Sequence, residues 1–197
     1  MKSSQALKNI ALAAIIAMPL SVMSARLSAL GGQAGHTAGA AKGGKMSFTL
    51  SSQSFVDGAT IPARYTCDGL NLSPQLSWTG TPAGTKSFLL IVDDPDAPGG
   101  TFVHWVFFDV AAKTEALPEG PTAAKLGTAG INDFGKSAYG GPCPPKGRGA
   151  HRYFFKLSAL DIPSLGLTPG ATLIQVNQKI TGHVLATATL IGRYERR

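Results

Sequence analysis

Cysteine is scarce in this chain of 197 residues, with 2 in all. Cys67 and Cys143 are far apart and neither belongs to a C-x-x-C pair, which argues against a zinc site built on thiolates. Charge is scarce too: Asp, Glu, Lys and Arg make up 15% of the residues against 44% hydrophobic, the composition of one ordinary globular domain with something added. No internal repeat, heptad pattern or second domain is visible. No G-x-S-x-G elbow occurs, and Ser137 and Ser158 lack an activating context, so the chain does not read as a hydrolase with a serine nucleophile. Acids are absent from residues 1–45, which hold Lys2, Lys8, Arg26, Lys42 and Lys45. Those five account for most of the formal charge of +7, because the rest of the chain has 13 bases against 11 acids, or +2. With no basic helix and no basic–aromatic interleaving, nucleic acid is not an expected partner. Arg193, Arg196 and Arg197 read as a solvated tail, or as a weak contact for anionic lipid.

What was added lies at the N-terminus. Residues 1–25 read as a secretory signal peptide: Lys2 and Lys8, an apolar run from Ile10 to Met23, then the small residues Ser24 and Ala25. The run is short of the roughly 20 residues a bilayer span needs and Pro19 interrupts it. No stable membrane insertion is therefore expected after cleavage, an uncleaved anchor being the alternative, and the expected location is periplasmic or secreted. Residues 26–45 are Gly- and Ala-rich without hydrophobic period and read as a flexible linker, in which His36 is unremarkable. Residues 46–197 are then the folded domain.

In that domain short apolar runs alternate with Gly, Pro, Asn and Asp, the pattern of strands. Ser47 to Leu50, Ser87 to Asp93, Val103 to Val110 and His151 to Leu160 are the clearest, and Val184 to Tyr194 returns to strand near the C-terminus. Leu173, Val176 and Ile180 after Thr168-Pro169-Gly170 fit an amphipathic helix of about three turns, which Gly182 can end. The expected fold class is mainly β with at least one packed helix. In an exported protein Cys67 and Cys143 could be bonded or remain two partly buried thiols; sequence leaves both open.

Two stretches hold the polar chemistry: Asp93-Asp94-Pro95-Asp96-Ala97-Pro98, followed by His104, and Gly140-Gly141-Pro142-Cys143-Pro144-Pro145-Lys146-Gly147-Arg148-Gly149-Ala150-His151-Arg152-Tyr153. Strand alternation puts His151 and Tyr153 on one face with Phe155 and Leu157, and His104 on a face with Val106 and Phe108. Imidazoles at the ends of buried strands, beside Gly- and Pro-rich loops, suit a small polar pocket. His183, near a helix end, reads as a structural hydrogen-bonder.

Together these stretches resemble the phosphatidylethanolamine-binding proteins, most closely their bacterial Raf-kinase-inhibitor-like branch. Tyr65-Thr66-Cys67-Asp68-Gly69 and Gly182-His183-Val184-Leu185-Ala186 share the likeness, which runs from about Met46 to Tyr194. The resemblance implies a β-sandwich of a large and a small antiparallel sheet with one or more packed helices. It also implies a shallow anion pocket for phosphate or a phosphoryl head group such as phosphoethanolamine. Its implied members are Asp94, Asp96, Pro98, His104, Gly141, Pro144, His151 and Tyr153; the chain departs in having His104-Trp105 where the animal branch has paired histidines.

In such a pocket glycine-loop N–H groups, imidazoles and the Tyr153 hydroxyl would donate to the anion. Asp94 and Asp96, as carboxylates, would instead orient a histidine, brace the loop or accept from a ligand ammonium, each having turn chemistry as its simpler role. If an imidazolium is needed, affinity should fall as pH rises through about 6.5. No catalytic residue and no cofactor is expected, a two-histidine, one-carboxylate metal site being the weighed alternative. The resemblance also implies a second reading, inhibition of a partner kinase or protease through the pocket mouth, where Asp133, Phe134, Lys136 and the Arg148 loop would lie.

Overall fold

The computed structural model describes residues 47–197. The signal-peptide and linker readings, and the start of the domain at Met46, lie outside the described residues. The described residues form two antiparallel sheets. The small one has the order β1–β2–β5, with β1 Thr49–Ser51, β2 Leu76–Thr79 and β5 Ala116–Leu117. The large one has the order β6–β4–β3–β7–β8, with β3 Ser87–Asp94, β4 Phe102–Ala111, β6 Thr128–Ala129, β7 His151–Leu160 and β8 Val184–Tyr194.

β3 and β4 occupy the middle of the large sheet and are buried along nearly their whole length. One face packs on the small sheet, where Leu76, Trp78 and Leu117 meet Phe88, Leu90, Trp105, Phe107 and Phe155. The other face, with Leu89, Val106, Phe108 and Leu160, is covered by Leu165, Ala171 and Val176. Two-sided burial is why these strands read as continuous apolar runs rather than alternating ones. β7 alternates instead, with His151, Tyr153, Phe155 and Leu157 buried and Arg152 exposed.

The helix α1 spans Leu173–Ile180, about one turn shorter than the apolar spacing suggested. Thr172 caps it by accepting the Gln175 N–H while the Gln175 side chain accepts the Thr172 N–H, and Gly182 follows its end at φ 81°. The sequence reading did not identify β2, β5 and β6. The expected solvated tail is also revised. Arg193 belongs to β8, and its backbone bonds Ala59 and Ile61; Arg196 lies 3.0 Å from Asp68. Among the described residues, no helix is long and apolar enough to cross a membrane.

Candidate functional site

The end of β3 and the start of β7 lie side by side, their pairing ending at Asp93↔Phe154. Beyond that pair, Asp94 and His151 meet on the inner face: His151 Nδ1 donates to Asp94 Oδ2 at 2.7 Å, with the two side chains 7% and 4% exposed. Asp94 Oδ1 accepts the Asp96 N–H at 2.8 Å, closing an Asx turn that shapes the Asp94-Pro95-Asp96 corner. Both Asp94 oxygens are thereby committed to the protein.

His104 reaches the same place by a break in the pleat. Val92 pairs with Trp105 and Asp93 with Val103, so His104 is an extra, unpaired residue in β4. The bulge changes the face expected from simple alternation. Val106 and Phe108 point toward the α1 side, whereas the His104 ring lies edge-on to Tyr153 at 5.2 Å on the other side. His104 Nδ1 is 2.7 Å from the Gly140 carbonyl, which can only accept, so Nδ1 carries a proton. Burial depresses the His104 pKa below the ordinary imidazole value, outweighing the opposing effects of the Gly140 carbonyl and the Asp94 carboxylate.

These two histidines and Asp94 line a cavity of about 220 Å³ together with Pro98 and Pro144. Ala97, Phe102, Phe134, Cys143 and Pro145 complete it. Three expected members stand behind the wall instead. Asp96 is outside, taking the Arg152 backbone N–H and Nε at 2.9 Å and Nη2 at 2.7 Å, and these bonds hold its carboxyl down to about 2. Gly141 is buried and donates its N–H to Asn71 Oδ1 at 2.7 Å; a Cβ there would collide with the Tyr65 carbonyl. Tyr153 is fully buried, and its hydroxyl has no hydrogen-bond partner among the described residues. Burial, and then the Asp94 carboxylate, push that phenol far up, so it stays protonated.

The glycine- and proline-rich loop is fixed from behind. Cys67 and Cys143 form a disulfide with Cα atoms 5.4 Å apart, Cys67 N–H donates to the Pro142 carbonyl at 3.1 Å, and Tyr139 O–H to the Tyr65 carbonyl at 2.8 Å. Phe102, which sequence reasoning did not assign to the pocket, and Phe134, expected at its mouth as part of a partner surface, stack edge-on at 4.8 Å, and each packs on His104. The signal of Phe102 was weak because one aromatic residue at the start of a strand is common anywhere. Asp133 is used internally, accepting the Val103 N–H at 2.6 Å. His183 pairs with Asp161 at 2.8 Å, away from the cavity. A larger cleft of about 340 Å³ beside Trp105, Phe107 and Leu72 has no carboxylate, lysine, arginine or histidine in its wall among the described residues.

The smaller cavity therefore offers two imidazoles in an apolar setting with one buried carboxylate behind them. Among the described residues, no free thiol, aliphatic hydroxyl or lysine lines it, and no cluster of three His, Cys, Asp or Glu is placed to hold a metal.

Comparison with known proteins gives a consistent result. The family model described as phosphatidylethanolamine-binding protein matches residues 51–195. A UPF0098 protein of Aquifex aeolicus is 53% identical over 149 residues, 74% of this chain and 86% of that protein. Another, of Methanothermobacter thermautotrophicus, is 49% identical over 151 residues, 75% and 98% of the two chains. The crystal structure of Escherichia coli YbcL, reported as a new member of the mammalian PEBP family, superposes with a TM-score of 0.71 at 33% identity, covering 76% of this chain and 99% of YbcL.

Proposed function

This chain belongs to the phosphatidylethanolamine-binding protein family, and from that premise we propose that it is a non-enzymatic binding protein whose cavity receives phosphate or a small phosphoryl head group. The observation that carries the reading is the buried Asp94–His151 pair at the cavity wall. A carboxylate on Nδ1 fixes the orientation of the ring and turns Nε2 toward the cavity, the edge from which an imidazole meets an anion. Asp94 itself stays off the anion because both its oxygens are already occupied. Gly141 and Asp96 act indirectly, by letting the loop pack close and by tying the Asp94 corner to β7.

The test is calorimetric titration of the protein with phosphate and phosphoethanolamine, beside His151→Ala. Saturable binding in the parent and at least a tenfold loss in the variant are expected, since a hydrogen bond to a charged group is worth about 1.5–3 kcal/mol. A folded parent that binds neither ligand would falsify the reading.

One observation favours a second reading, a protein partner at the cavity mouth. Phe134, an apolar side chain in the cavity wall, is 41% exposed. A kinase or protease captured by the parent and equally by Phe134→Ser would remove its support. We place the mature protein in an oxidising, extracytoplasmic compartment, as the signal-like segment and the Cys67–Cys143 bond together suggest. A thiol count on protein isolated without reductant checks this; two free thiols would count against it.

A further inference from the structure

We propose that the cleft beside Trp105 is a second binding site, for a small uncharged aromatic molecule that carries a carbonyl or equivalent hydrogen-bond acceptor. It does not depend on the phosphoryl-binding reading, because no residue of its wall also lines the smaller cavity.

The floor of the cleft is built by β4. Beyond the bulge at His104, Trp105 and Phe107 lie on the inner face of the sheet. Their rings stack at 5.2 Å and 28°, and Tyr139 closes one side edge-on to Trp105 at 5.5 Å. Opposite this aromatic row the wall has only small side chains, Ala123, Ala124, Ala129 and Ala138. They leave about 340 Å³ open, the low end of the range of ligand sites and room for about one or two fused rings.

Several polar atoms of the wall are already used. Tyr139 O–H donates to the Tyr65 carbonyl, Ser73 O–H to the Gly120 carbonyl at 3.3 Å, and Asn71 Oδ1 accepts the Gly141 N–H. What remains is a set of donors. Trp105 is 3% exposed, yet its indole N–H has no hydrogen-bond partner among the described residues and is not one of the sealed, unsatisfied atoms, so it opens onto the cleft that its ring lines. At the exposed rim stand the Asn71 amide N–H₂, the end of that side chain left over from Gly141, and the Ser137 hydroxyl. Trp78 supplies the contrast, since its indole N–H is sealed in the core between the sheets.

An indole N–H donates and cannot accept, so it selects a ligand with an acceptor. An aryl carbonyl supplies one, while its ring packs against Trp105 and Tyr139 in the offset or edge-on arrangements that aromatic pairs favour. A hydrocarbon chain would fill the space and leave the buried N–H unsatisfied. A carboxylate or an ammonium would lose its hydration against a wall that has no lysine, arginine, histidine or acid among the described residues to receive it.

The experiment records ¹H–¹⁵N spectra of the full chain, whose 2 tryptophans give separate indole signals, during titration with acetophenone, ethylbenzene and benzoate. Acetophenone should shift the Trp105 indole signal saturably and leave that of Trp78 in place. Ethylbenzene, with the ring but no acceptor, should bind about threefold to tenfold more weakly, the net worth of one hydrogen bond. Benzoate should bind about tenfold or more weakly than acetophenone, having a charge to desolvate. Ala124→Phe, at an exposed position of the wall, should fill the cleft and lower acetophenone affinity about tenfold or more. Should that variant misfold, the order of the three ligands on the unmodified protein decides the matter. No saturable shift at Trp105, equal shifts at both indoles, ethylbenzene or benzoate binding as tightly as acetophenone, or undiminished binding in folded Ala124→Phe would overturn the assignment. So would a Trp105 signal that moves on dilution of the protein alone, which would give the cleft to a second copy of this chain.

Discussion

Asp94 and Asp96 flank a single proline, and their partners His151 and Arg152 are consecutive in β7; each pair closes at 2.7 Å. Because successive strand side chains point to opposite faces, the two pairs end in different media. The inner pair has side chains 4% and 7% exposed, the outer pair 29% and 49%. Equal distances therefore carry unequal consequences. Indoors, the carboxylate decides which nitrogen of His151 faces the cavity. Outdoors, water and salt screen the ion pair, and its use is to fasten one loop to one strand.

The widest break removes what holds the cavity loop over the inner pair. The Cys67–Cys143 bond closes a separation of 76 residues, and Cys143 with its neighbours Pro144 and Pro145 lines the cavity. In the chain-entropy account such a bond stabilises by up to about 4 kcal/mol. The double variant Cys67→Ser, Cys143→Ser should lose that order of unfolding free energy in urea and lose phosphate affinity with it. Both sulfurs belong to exposed residues, so a dithiol reductant should reproduce the effect in the parent protein. An unchanged urea midpoint would show that the loop is held by its hydrogen bonds alone.

Next comes the comparison itself. Asp94→Ala strands a buried imidazole and removes the acceptor for the Asp96 N–H, so it should cost about 3 kcal/mol and abolish phosphate binding. Asp96→Ala removes three bonds from Arg152, yet all three are near solvent, and the midpoint should move much less. If the two variants destabilise equally, burial is not what separates the pairs.

Much of this was legible in the sequence, for physical reasons that also mark where it stopped. β7 and β8 match their expected bounds because their alternation or apolar runs are long and end at Gly or at charged residues. β5 and β6 are two residues each, too short to hold any period. His151 could be set beside Tyr153 because β7 keeps its pleat, whereas the face of His104 was misread because one inserted residue reverses it and leaves no mark in the residue types. The two strand-end histidines and the aspartates were visible as chemistry. That Asp96, Gly141 and Tyr153 stand behind the cavity rather than in it depends on which partner each meets across the fold, and Arg152 and Asn71 supply no local signal of that.

The smallest effect expected is the acid response of the outer pair. Arg152 holds Asp96 down to about 2 from an ordinary 3.8, so the folded state binds this proton less readily than the unfolded chain. A depressed folded pKa means that the pair's contribution is complete above the unfolded value and is lost as pH falls through the folded one. The difference in unfolding midpoint between the parent and Asp96→Asn should therefore be flat above about pH 5, shrink as pH drops past 3.8, and vanish only below about 2. Added salt should reduce the plateau, since half of the Arg152 side chain is in solvent. A difference that persists undiminished below pH 2 would mean that Asp96 acts through the backbone turn rather than through its charge, making the outer pair more like the inner one than its exposure suggests.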